Sequence, residues 1–351
     1  MTGVQGKFGV FLIFLVFLTA CGQVSALPPG FCLPDNNTVI LGVSALSDSG
    51  SGGNNSSTMA EITAFSTASG RKSSIGMISD EWMNDRKFPL AEVTALRNEG
   101  IVPYILLMMR SSDAAYQKEP LFTLQNIASG KFDTELRSWA REARAFGTPV
   151  IIEYGTEVNQ WQYPWNGYWN GNDKGPGYFQ DAYRHIITIM KEEGASNLIW
   201  VYHVSGENLP DESWNTLSAY YPGDQYCDLV SVSITGAKNP FETVNGSFKA
   251  RMEKALEDLP RTLVNKPVLV LTGTDVNNKS VNPVAWISEV FSFLYGDTGK
   301  NIAGLIWWNA GWPNDNNALH DTSMRIQDNP AVVTAFKTGA RETQVKEGLY
   351  C

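Results

Sequence analysis

Short apolar runs recur along the chain, at 39–43, 74–78, 101–107, 150–154, 198–202, 229–234, 268–271 and 302–307. They are continuous rather than alternating, the pattern of strands covered on both faces. Between them the apolar period lengthens. In 132–146, Leu136, Trp139, Ala140, Ala143 and Phe146 return at three- and four-residue steps and predict one helical stripe. Asp133 is the expected N-cap of that helix and Gly147 its stop. Segment 178–193 repeats the pattern and stops at Gly194, and helices are also expected at 59–68, 90–98, 248–259, 283–294 and 330–338.

Strand-then-helix units following one another in this way predict an α/β fold, a (β/α)8 TIM barrel, as one domain over 27–351. An open doubly wound sheet is the competing arrangement, but no GxGxxG or GxxxxGK[ST] follows any strand. The low-complexity segment 47–57 (SDSGSGGNNSS) reads as a flexible loop on the barrel's C-terminal rim.

A barrel places its chemistry at the C-terminal ends of its strands. That rule selects Asp80, Glu81 and Trp82 after strand 2, Arg110 after strand 3 and Glu157 after strand 4. It also selects His203 and Glu207 after strand 5, Thr235 after strand 6, Thr272 to Asp275 after strand 7, and Trp307 to Trp312 after strand 8. The richest stretch is 149–165, where an apolar strand runs into Glu157, then Asn159, then Trp161, Tyr163 and Trp165, with Tyr168 and Trp169 beyond. A carboxylate beside aromatic rings suits acid catalysis on a sugar: the rings stack on pyranose faces and their bulk can raise the carboxyl pKa. The competing reading is a core strand followed by a Trp-rich packing loop. Glu153 lies on the same strand face as Glu157, about 13 Å away at strand rise, too far for a retaining pair. Pointing inward, it needs a partner such as Arg110 or a lysine. By alternation, one of Trp307 and Trp308 points inward and floors a sugar subsite.

Composition narrows the partners. The net charge is −9, which argues against nucleic acid and anionic membrane surfaces, while 11 Trp, 13 Tyr and 16 Phe favour a neutral, stackable ligand. His185, His203 and His320 are scattered, so no metal and no cofactor is expected. Lys7 precedes an apolar run at 8–20, too short to span a bilayer comfortably, so 1–26 is expected to be a signal peptide and the mature protein extracellular or cell-surface. Leu18-Thr19-Ala20-Cys21 resembles a bacterial lipobox that would leave a lipid anchor on Cys21, whereas Val24-Ser25-Ala26 resembles a conventional cleavage site. Cys32 and Cys351 bracket the mature chain and are the expected disulfide; Cys227 opens an apolar strand and reads as a buried small hydrophobe. A monomer is expected.

In order along the chain, several segments resemble glycoside hydrolase family 26, the β-mannanases and related β-glycanases. Thr156-Glu157-Val158-Asn159-Gln160-Trp161-Gln162-Tyr163-Pro164-Trp165 is similar to the family's acid/base motif, roughly His-Glu-Met-Asn-Gly-x-Trp-Tyr-Pro-Trp. Ile127-Ala128-Ser129-Gly130-Lys131-Phe132-Asp133 with Trp139-Ala140, then 194–201, 220–230 and 325–330, are similar to other landmarks. The resemblance implies a retaining glycosidase acting on polysaccharide, with Glu157 as acid/base; from their own places at strand ends or in rim loops, Asn159, Trp161, Trp165, His203, Trp307 and Trp312 are expected to face substrate. The resemblance also implies a nucleophilic Glu at the end of strand 7, where the chain has Thr272; Asp275, three residues on, is the remaining candidate, against a plain turn residue. The family's His before the acid/base is Thr156 here, and its Arg four residues earlier is Glu153. The alternative is a catalytically inactive glycan-binding or structural protein on the same scaffold.

Overall fold

The computed structural model describes residues 27–34, 38–46, 55–299, 301–341 and 344–351, with backbone only at 55–57, 264 and 265. The expected signal segment at 1–26 and residues 47–54 of the expected flexible loop lie outside the described residues, and the last three residues of that loop, 55–57, instead open a helix.

Eight parallel strands close on themselves. They are β1 (Val39–Ser44), β2 (Ile75–Glu81), β3 (Val102–Met108), β4 (Val150–Tyr154), β5 (Leu198–Ser205), β6 (Leu229–Ser233), β7 (Val268–Thr272) and β8 (Ile302–Trp308). Each pairs with its neighbour in sequence, and β8 returns to β1 through Ile40↔Gly304 to Ser44↔Trp308. The fold is therefore the (β/α)8 barrel that the apolar runs predict. The runs are continuous because both strand faces are covered, one by the barrel interior and one by helices.

The outer layer is α1 (Asn55–Ser69), α2 (Leu90–Asn98), α3 (Leu124–Ala128), α4 (Asp133–Phe146), α5 (Gly175–Glu192), α6 (Phe248–Asp258), α7 (Pro283–Leu294) and α8 (Pro330–Gly339). In α4 the expected stripe is the buried one, and Gly147 takes the left-handed C-cap at φ 78°. Its N-cap is Phe132, not Asp133; the Asp133 carboxylate instead meets His185 Nε2 of α5 at 2.7 Å. Cys32 and Cys351 are joined by a disulfide beside the Phe31↔Tyr350 bridge, tying the two ends of the described chain together. Cys227 is a buried free thiol. After β8 a small hairpin, β9 (Gly311–Trp312) with β10 (Thr322–Ser323), stands over the C-terminal mouth, and β11 (Val345–Lys346) adds to β1. No described helix is long and apolar enough to cross a membrane.

Candidate active site

The turn after β4 builds the site. Gly155 has φ 81°, and a Cβ there would lie 2.3 Å from the Phe179 ring, so only glycine lets the strand turn against α5. Two residues later Glu157, at φ 43°, sits in the left-handed region that side chains avoid. Its half-buried carboxylate has Gln162 Nε2 at 3.4 Å, too long to occupy it, so it is available at the mouth.

An exposed aromatic group flanks it. Trp161 meets Tyr116 at 5.6 Å between ring centroids and Tyr168 at 5.3 Å, both edge-on, and Tyr168 meets Trp169 at 4.8 Å. Tyr116 comes from the loop after β3, held by its backbone N–H donating to Gln162 O. From the loop after β8, Trp312 stacks on Trp308 at 5.2 Å, with Lys238 Nζ 5.7 Å from the Trp308 ring.

Several residues expected to face a ligand are committed elsewhere. Asn159 is buried: its Nδ2 donates to Ser205 O at 2.8 Å and its Oδ1 accepts from Ser205 N–H at 2.8 Å, which staples the β4 and β5 loops together. Trp165 is buried under the turn, stacked on Tyr163 at 5.0 Å and donating from Nε1 to Thr156 O at 2.9 Å. Trp307 points outward against Phe336 of α8, at 5.3 Å, and Trp308 takes the mouth side instead. Alternation along β8 sets the two indoles on opposite faces without saying which is which; packing on α8 decides it.

The end of β7 offers no free carboxylate. Thr272 donates from Oγ1 to Ile234 O at 2.6 Å and accepts from Trp286 Nε1 at 3.2 Å, so it faces β6 and α7 rather than the mouth. Asp275 is fully buried. Its Oδ1 accepts from Asn277 N–H and its Oδ2 from Ser323 N–H, both at 2.8 Å, the geometry of a loop anchor. Burial raises its carboxyl above the ordinary range, against the opposing pull of those backbone hydrogen bonds.

His203, expected at the cleft, lies inside the barrel and forms a network with Glu153. Its Nδ1 is 3.0 and 2.8 Å from the two Glu153 oxygens, and its Nε2 is 2.7 Å from Ser233 Oγ. Tyr104 and Thr156 each donate a hydroxyl to Glu153 at 2.5 Å. Arg110, the partner anticipated for Glu153, instead forms a two-pronged ion pair with Glu81 at 2.9 and 2.7 Å. Burial alone would lower the His203 pKa, but the charge and hydrogen bond of Glu153, with the charge of Glu157, outweigh it and raise it. Glu207, also placed after strand 5, is exposed and pairs with Arg251 at 2.8 Å. Asp80 sits behind β2, accepting from Trp139 Nε1 at 2.9 Å; burial pushes its carboxyl up to about 8 against that bond. Among the described residues no cluster of three His, Cys, Asp or Glu could hold a metal.

The functional residues missed in the sequence are Tyr116, which no strand-end rule selects, and the network partners Tyr104 and Ser233, which are unremarkable strand residues until the barrel closes.

The structure is thus a closed parallel (β/α)8 barrel with a carboxylate and exposed rings at its C-terminal mouth. Residues 123–255 match the model of Glycosyl hydrolase family 26. Endoglucanase H of Acetivibrio thermocellus is 25% identical over 279 residues, covering 79% of this chain and 28% of that protein. Beta-1,3-xylanase TXYA of Vibrio sp is 26% identical over 207 residues, covering 54% of this chain and 41% of that protein. The chain thus spans less than half the length of these curated relatives. Among solved structures, the catalytic domain of the Bacillus sp. JAMB-750 GH26 endo-beta-1,4-mannanase aligns with TM-score 0.63 at 14% identity, covering 89% of this chain and 88% of that one. A Cellulomonas fimi endo-beta-1,4-mannanase double mutant aligns with TM-score 0.62 at 13% identity, covering 89% and 72%. The chain is a divergent relative of glycosyl hydrolase family 26.

Two outcomes follow from this geometry. Glu157→Gly relieves the left-handed backbone, so the protein should be no less stable than wild type, gaining up to about 1 kcal/mol; urea unfolding checks this, and a loss of more than about 1 kcal/mol would contradict it. The second concerns pH. Asp80 and His203 both have raised folded-state pKa values, so each contributes stability that is complete below its unfolded pKa and is lost as pH rises through its folded one. For Asp80 the window runs from the ordinary carboxyl value of 3.8 to about 8, and for His203 it opens at 6.5. Stability measured by urea should therefore fall from pH 5 upward. Asp80→Asn should lessen the fall between pH 5 and 6, to which the raised carboxyl of Asp275 also contributes, and leave the decline that His203 adds above about 6.5.

Proposed function

We propose that this protein binds a β-linked polysaccharide along the C-terminal mouth of the barrel, on a glycosidase scaffold that has lost its retaining nucleophile. One observation carries the reading. Beside exposed rings Glu157 presents a half-buried carboxylate, while at the end of β7 Thr272 is turned to the helices and both Asp275 oxygens take backbone N–H groups. Retaining hydrolysis needs a second carboxylate about 5–5.5 Å from the first, with an oxygen free to attack the anomeric carbon. A ligand needs only the rings and a hydrogen-bond acceptor. Trp161, Tyr116 and Tyr168 supply stacking surface on one side and Trp312 on the other. A neutral polymer also suits a chain of net charge −9. The proposal includes an extracellular or cell-surface location, from the apolar run at 8–20.

A second reading, hydrolysis with Glu157 as acid, is favoured by Glu157's strained backbone, since strain of this kind collects at reacting or ligand-clamping residues.

Mannan, xylan and mixed-linkage glucan distinguish the two by affinity electrophoresis run beside a reducing-sugar assay. The proposal expects retardation by at least one polymer, weakened about tenfold in Trp161→Ala, with no new reducing ends. Reducing ends that vanish in Glu157→Ala would establish hydrolysis instead, and neither retardation nor reducing ends with any of the three would overturn both.

A further inference from the structure

We infer that Glu153, His203 and Ser233 form a buried positioning relay that acts through Thr156 and Val158 to hold Glu157 at the mouth. Glycan affinity then depends on side chains that no glycan touches. The inference rests on the reading of Glu157 as the ligand's carboxylate contact.

Glu157 cannot hold itself in place. Its backbone is left-handed at φ 43°, a conformation that persists only where the surroundings over-determine it, and the hydrogen bond to its carboxylate from Gln162 is long, at 3.4 Å. The restraint comes from its two neighbours in sequence. On one side, Thr156 donates its hydroxyl to Glu153 at 2.5 Å while its carbonyl accepts from Trp165 Nε1. On the other, Val158 N–H donates to the His203 carbonyl at 3.3 Å, and Val158 O accepts from Asn166 Nδ2 at 2.8 Å. The first anchor ends on the Glu153 carboxylate itself, and the second on the main chain of His203, the residue whose ring meets that carboxylate. Glu153 is fully buried, where carboxyl oxygens left without partners cost free energy, so its contacts are costly to lose. The His203 ring meets its oxygens from Nδ1, Tyr104 and Thr156 donate hydroxyls, and Ser233 meets the far ring nitrogen of His203. Thr156 is therefore both a partner of the buried carboxyl and the residue that precedes Glu157, and through it the interior is coupled to the mouth.

The test is a double-mutant cycle on the full chain. Thr156→Val keeps the side-chain shape and removes only the hydroxyl; it is combined with Glu157→Ala. Affinity is read by calorimetry with the hexasaccharide of the polymer that retards the protein, β-1,4-mannohexaose where that polymer is mannan. The relay predicts that Thr156→Val weakens binding about tenfold in the wild-type background and less than about twofold in Glu157→Ala, with Thr156→Ser restoring wild-type affinity. An equal loss in both backgrounds, or none in the wild type, overturns the relay and leaves the binding function standing. If Glu157→Ala by itself leaves affinity unchanged, the reading of Glu157 falls, and the relay with it.

Discussion

A carboxylate sealed inside the barrel is the constraint on which the rest of the site depends. Glu153 is fully buried on β4, and an ionised group there must find opposite charge and donors within the barrel or give up its charge. It finds His203 on β5, Tyr104 on β3 and Thr156 at the turn, while His203 reaches on to Ser233 on β6. Four consecutive strand positions are thus joined across the interior by polar contacts. Removing one member leaves the others buried with unmet hydrogen-bonding capacity, so the network is costly to disturb. Because Thr156 belongs to it, the turn that carries Glu157 is fixed from below.

The mouth above follows from that turn and from two loops that lean over it. Trp161 and Tyr168 come from the β4 loop, Tyr116 from the β3 loop, and Trp312 from the β9–β10 hairpin. The scaffold is the (β/α)8 barrel shared with solved endo-β-1,4-mannanases. At the end of β7 the Thr272 hydroxyl and the Asp275 carboxylate are both bound into the protein's own hydrogen bonds. Rings on one loop and carboxylates on another can change independently of each other on a shared scaffold.

The barrel was legible because strands covered on both faces cannot hide their apolar runs. Glu157 was legible because it follows one of those runs. Phase was harder: the period of two separates Trp307 from Trp308, but only the packing of Trp307 on Phe336 decides which faces the mouth. Asn159 and Trp165 stand in the right motif and still serve as supports, since an amide or indole near a strand end is equally suited to stapling loops. The His203–Glu153 pair was out of reach. The β4–β5 register sets Glu153 opposite Val201, with His203 two residues further along, and no single-chain pattern encodes that register. Tyr116 depends on a loop conformation with φ 59°, which its residue type does not advertise.

The central claim is a glycan groove with one working carboxylate. Its most direct test is mass spectrometry of the intact protein after incubation with an activated fluorosugar, which traps the glycosyl–enzyme intermediate of a retaining glycosidase, run alongside binding of the corresponding oligosaccharide. The account predicts oligosaccharide binding with the protein mass unchanged. A single glycosyl adduct, mapped to Asp275 or to any other carboxylate, would contradict it.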